Sequence, residues 1–177
     1  TGQGDLSAPV VFCGYGLSLP ERGYDDYAGV DVQGKIVLVF KQSPTWELPD
    51  GEGWQGLTNP RPKAHTAAAH GAVGVLMVSR PNDKRPQPPI ASMMHGEGQQ
   101  PYNIPQVQIS QNVALDLLRN SGLNLGSLQT QIDQSKAPAP VDLKTTAQLK
   151  VETIYQKEAE TWNVVGILPG SDPVLRD

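Results

Sequence analysis

His65 and His70 stand five residues apart in an Ala-rich stretch, Lys63 to His70, which follows Pro60 and Pro62 and ends at Gly71, as a helix prefers. Helical residues turn by about 100° each, so the two imidazoles point roughly 140° apart and cannot share one metal ion as an i,i+4 pair does. They read as solvated or locally bonded histidines. His95, in a loop with Gly and Met neighbours, has no partner that spacing identifies. Asp25, Asp26 and Asp31 offer oxygen ligands, but the closing Glu of a calcium loop is missing. Gly14-Tyr15-Gly16 follows an apolar run, as the first two glycines of a dinucleotide fingerprint would. The third would fall at Leu19, with Pro20 behind it, so the expectation is a turn and not a phosphate cradle. Ser18 and Ser79 lack the Gly-x-Ser-x-Gly context of a nucleophile elbow. Cys13 lies within an apolar run, where a thiol is an inert core residue. These residues assemble no catalytic site and no metal site.

Trp46 and Trp54 are different. They sit on a long Gly- and Pro-rich loop, Ser43 to Pro62, and large aromatics on such loops are the anchors that binding surfaces favour. The same rings also serve to pin a loop to its own domain, and both readings stand at this point.

The elements that must position these residues are legible in outline. Val10 to Cys13, Ile36 to Phe40 and Val73 to Val78 are short apolar runs of buried-strand character, and Ile104 to Ile109 alternates apolar with polar residues. Tyr24 to Gly34 is an ordered connection rich in turn formers, its two tyrosines anchored in the core. Ser110 is placed as the N-cap of a helix through Asn120, with Gly122 as its stop. A second long loop spans Arg80 to Pro101. Ala137-Pro138-Ala139-Pro140 leads into Val141 to Val151, where alternate residues share one face over the longest strand signal in the chain. The texture changes after Tyr155, a boundary falls near Lys157, and Thr161 to Gly170 is expected to form a new strand. The fold class is mixed α/β, mainly β, with helices flanking a sandwich or open barrel.

Composition narrows the function. With 14 Lys and Arg against 18 Asp and Glu, the net charge of −4 excludes an ordinary nucleic-acid binder. A chain of 177 residues buries one core, and it has no apolar run of membrane-spanning length. The single cysteine excludes an intrachain disulfide and is silent about export. The chain opens at Thr1 without Met and stops at Asp177, so the expectation is a piece of a longer protein.

Taken in order, Tyr24-Asp25-Asp26-Tyr27, Val30 to Val39 with Gly34-Lys35 inside it, Lys63-Ala64, Gly71 to Val78 and Ile104 to Ser110 resemble the protease-associated domain over roughly residues 8 to 155. Thr161-Trp162-Asn163-Val164-Val165-Gly166-Ile167-Leu168-Pro169-Gly170-Ser171-Asp172-Pro173 resembles the first strand of the co-catalytic-zinc aminopeptidases, into which this domain is commonly inserted. The resemblance implies a protease-associated domain at residues 1–156 and the start of a truncated peptidase domain at 157–177. It implies a noncatalytic module that shapes substrate access or mediates protein interaction. The chain itself would hold no catalytic residue and no cofactor, and zinc would belong to the missing peptidase domain. The partners would be that peptidase domain and peptide or protein substrates, in an extracytoplasmic setting. Trp46 and Trp54 would then belong to a substrate-access loop. The alternatives are a stand-alone interaction or sorting module and, least, a nucleotide-binding enzyme built around Gly14 and Gly16.

Overall fold

Apolar side chains in unbroken runs must be buried on both faces of a sheet, and the central sheet is built this way. A computed structural model describes residues 2–48, 51, 53–54, 59–84, 86–90, 104–152 and 162–166. In chain order the elements are β1 (Gly4–Phe12), β2 (Ser18–Leu19), β3 (Tyr24–Asp25), β4 (Ile36–Phe40), α1 (Pro60–Ala69), β5 (Gly74–Val78), β6 (Gln106–Ile109), α2 (Gln111–Leu118), α3 (Leu125–Ser135) and β7 (Val141–Val151). Five strands form one sheet in the order β6-β5-β4-β1-β7, and β2 with β3 forms a short separate ribbon. The strands β1, β4, β5 and β6 run parallel, and β7 closes the far edge antiparallel to β1.

The class is mixed α/β as expected, with about 26% helix against 28% strand, and no closed barrel forms. The sheet is open and flanked by helices, as expected, in place of the sandwich or open barrel. The β2–β3 ribbon is too short to be a second layer, and helices cover both faces instead.

Strand alternation sorts the core into two layers. Val10, Phe12, Ile36, Leu38, Phe40, Leu76 and Val78 face Ala114 and Leu118 of α2 and Leu125, Leu128 and Ile132 of α3. On the other face Val11, Cys13, Val37, Val39, Val75 and Met77 meet Ala64 and Ala67 of α1, with Tyr27 and Val32. The small side chains of α1 let it lie close against the β-branched surface.

Several bounds are those expected. Strands β4 and β7 cover the anticipated residues, and Ser110 Oγ accepts from the Val113 N–H at 3.3 Å as the N-cap of α2. The first strand begins earlier, at Gly4, because β7 pairs along its whole length. Its register shifts between Pro9, which has no N–H to give, and Val11. The helix α3 is a correction to the sequence reading, which placed no element between Gly122 and Ala137. Asn124 caps it by accepting from the Gly126 and Ser127 N–H groups at 2.8 and 3.3 Å. The expected tail strand is not formed within 162–166, where Trp162, Val164 and Val165 are 83, 97 and 83% exposed. His95, the Lys157 boundary and residues 167–177 lie outside the described residues. No described helix is long and apolar enough to cross a membrane.

Because Ile132 is fully buried between α3 and the sheet, Ile132→Ala is expected to cost about 2–5 kcal/mol, whereas Val113→Ala on the exposed side of α2 should stay within about 0.5 kcal/mol. Urea unfolding of the two variants checks the pair.

Candidate functional site

Three parallel strands end together, and the segments that leave them, Cys13 to Leu17, Lys41 to Pro44 and Ser79 to Asn82, meet at one end of the sheet. In open α/β sheets this is the end at which ligands bind. Here the backbone groups released by the strands are claimed by the protein's own charged side chains.

Asp26 follows β3 and is fully buried. Its Oδ2 accepts from the Tyr15 N–H at 3.0 Å and the Leu17 N–H at 3.1 Å, and its Oδ1 accepts from the Tyr24 hydroxyl at 2.9 Å. Gly14 and Gly16 make this possible. Both have positive φ, at 46° and 69°; a Cβ on Gly14 would lie 2.3 Å from Asp26 Oδ1, and one on Gly16 would lie 2.8 Å from Val39 Cγ1. The glycine turn therefore cradles an anion, and that anion is the protein's own carboxylate. Burial pushes the Asp26 carboxyl up to about 7, against the pull of its three donors and of the Lys63 charge.

Lys63, in the first turn of α1, is 1% exposed. Its ammonium donates to the carbonyls of Phe40 at 2.6 Å, Lys41 at 3.2 Å and Gln42 at 2.8 Å, which uses all three of its protons. Burial pushes its pKa down to about 7, and the attraction of Asp26 opposes that shift. Arg80, after β5, completes the set. It donates to the Ser43 carbonyl at 2.6 Å and pairs with Asp83 at 2.8 Å. The helix α3 joins through Asp133, whose Oδ1 accepts from the Tyr15 hydroxyl at 2.6 Å. The phenols of Tyr15 and Tyr24 are raised well above their usual range, by burial first and then by hydrogen-bonded carboxylates.

On this platform sits an aromatic cluster. Trp46 meets Tyr15 edge-on with ring centroids 5.6 Å apart, Trp54 meets Tyr24 at 5.1 Å, and the two indoles are 6.0 Å apart. Trp54 is buried, and its Nε1–H donates to the Trp46 carbonyl. The structure thus brings together the two tryptophans singled out in the sequence and gives them different places. Trp54 pins the loop to its domain. Trp46 is half-buried, and it lines an open depression of about 330 Å³ with Ser43, Pro44, Thr45, Glu47, Gly53 and Trp54.

The other candidates are dispersed. His65 and His70 are both exposed, and His70 stacks on the ring of Tyr27 at 4.4 Å. Asp25 accepts from the Tyr27 N–H at 3.1 Å and Asp31 from the Gln33 N–H at 3.0 Å, so the three aspartates serve three separate turns. Among the described residues no group of three His, Cys, Asp or Glu side chains is arranged to hold a metal ion. Ser18 lies in β2; Ser79 is buried with its hydroxyl unpartnered, and Lys63, fully committed to carbonyls, does not activate it. Cys13 is buried, and burial together with Asp26 raises its thiol far from the reactive range. Sequence reasoning missed Asp26 as an internal anchor, gave Lys63 no role beyond its place in the family pattern, and missed Asp133 altogether. The one available signal was an acidic residue between two tyrosines, close after a Gly-x-Gly turn.

Two outcomes follow for the carboxylate. Gly14→Ala is expected to destabilise the fold markedly, since the new methyl must displace Asp26. A carboxyl that holds its proton more tightly folded than unfolded favours the fold at low pH. Stability should therefore fall as pH rises from about 4 to about 7, by at most about 1.4 kcal/mol per pH unit, and Asp26→Asn should remove that slope. Unfolding free energies of both proteins across this range measure the difference.

The family model of the PA domain, a protease-associated accessory domain, matches residues 6–117, well over half of the chain. No curated protein and no solved structure matches it. The matched span ends within α2, although α3 and β7 contribute Ile132, Leu143 and Leu149 to the same core.

Proposed function

The chain belongs to the PA domain family, and from that premise we propose that it is the noncatalytic accessory domain of an extracytoplasmic zinc aminopeptidase, with the Trp46 loop shaping substrate access. The observation that carries the access role is the placement of Trp46. It is a large aromatic held at the rim of an open depression by a cluster anchored in the core, so it presents a fixed surface to an incoming chain. Three charged side chains beneath the loop are spent on structure: Asp26, Lys63 and Arg80 each bind backbone at the ends of the parallel strands.

The parent assignment draws on residues 161–173, which resemble the first strand of the co-catalytic-zinc aminopeptidases. Exposure of Trp162, Val164 and Val165 supports it, because adjacent β-branched and aromatic residues left in water are ordinarily covered by another sheet or chain. On this reading the zinc ion belongs to the peptidase domain and the Trp46 loop acts on substrate by contact; among the described residues no three His, Cys, Asp or Glu side chains are grouped to hold a metal.

In the full-length protein, chelation should abolish cleavage of amino-terminal residues from peptides, and zinc should restore it. Trp46→Ala should change the ratio of kcat/KM for long against dipeptide substrates by about threefold or more. A proportional loss for every length, or unchanged kinetics, would overturn the access role.

A further inference from the structure

The depression beside Trp46 has a charge as well as a shape. Among the described residues Glu47 is its one charged lining residue, and it is exposed at the rim. From Ser43 to Pro62 the loop carries Glu47, Asp50 and Glu52 against Arg61, so it is net anionic, with its acids clustered beside the tryptophans. Arg80 reaches it from the protein side and is already committed to the Ser43 carbonyl and Asp83. A volume of about 330 Å³ is at the small end of ligand sites and is ample for one long side chain.

An indole ring beside a carboxylate is the pairing that holds a cation. The ring attracts it through its quadrupole, and the carboxylate adds a charge-assisted hydrogen bond. A neutral apolar side chain seated here would strip water from Glu47 and return nothing, and an acidic one would be repelled. We propose that the depression formed by Trp46, Glu47 and Trp54 binds the Lys or Arg side chain of an extended peptide, which makes the loop a reader of basic segments. This rests on the reading that the Trp46 loop meets substrate, and it assigns that substrate a charge.

The test titrates the 177-residue chain with blocked pentapeptides, glycine at every position but the central one, which is Arg, Lys, citrulline, Leu or Glu. The assigned Trp46 indole N–H resonance reports binding. The Arg and Lys peptides should bind at least tenfold tighter than the citrulline, Leu and Glu peptides, and added salt should weaken them. Glu47→Gln, at an exposed position that leaves the fold intact, should remove the preference for Arg over citrulline. Equal binding of the Arg, citrulline and Leu peptides, unaffected by Glu47→Gln, overturns the assigned charge and leaves the peptide-contact reading standing. No shift of Trp46 with any peptide overturns both.

Discussion

Two opposite charges, Asp26 and Lys63, are buried at the end of the sheet where the parallel strands stop, and the arrangement of that end follows from satisfying them. A charge removed from water must recover its hydration from fixed dipoles. The strand ends supply those dipoles: N–H groups of Tyr15 and Leu17 for the carboxylate, carbonyls of residues 40 to 42 for the ammonium. Each side chain thereby fixes the path of a segment that would otherwise leave the sheet freely. The Tyr15 backbone is fixed by Asp26, its hydroxyl by Asp133, and its ring then seats Trp46. The position of Trp46 is thus set by electrostatics two layers below it.

A sheet covered on both faces makes this possible. With α1 on one side and α2 and α3 on the other, the strand ends are shielded from water, and a lysine in the first turn of α1 lies over the end of β4. The same shielding gives Asp26 and Lys63 their shifted protonation, moves Cys13 out of reactive range, and leaves Glu47, at the open rim, the charge that meets solvent. The polar atoms of this end hold the module together, and the open depression beside Trp46 lies on the loop above them.

Much of the architecture could be read from residues alone, because burial on both faces leaves an unmistakable pattern. Ile36 to Phe40 is apolar at every position and is a central strand; Val141 to Val151 alternates and is an edge strand with one solvated face. Ser110 caps a helix because its hydroxyl meets an orphan N–H, a local event that needs no tertiary context. Asn124 caps α3 by the same chemistry, but the apolar residues of that helix, Leu125, Leu128 and Ile132, are diluted among glutamines and serines, and its one-sided pattern stands out only once the sheet is beneath it.

The sequence by itself determined the mixed α/β class, most strands, the capped helix α2, the turn character of Gly14 and Gly16, and the exclusion of a histidine metal pair, because each depends on contacts within a few residues. The tertiary structure decided what those pieces are for. Asp26 lies 11 residues from Tyr15, and Lys63 lies 23 from Phe40; Asp133 lies 118 from the hydroxyl it binds. A charged residue in a sequence reads as solvated surface, and only the closure of two helical layers over the strand ends turns these into buried anchors. The same closure separated Trp54, which holds the loop down, from Trp46, which the loop holds up. Local chemistry is written in the order of the residues, whereas desolvation belongs to the folded whole.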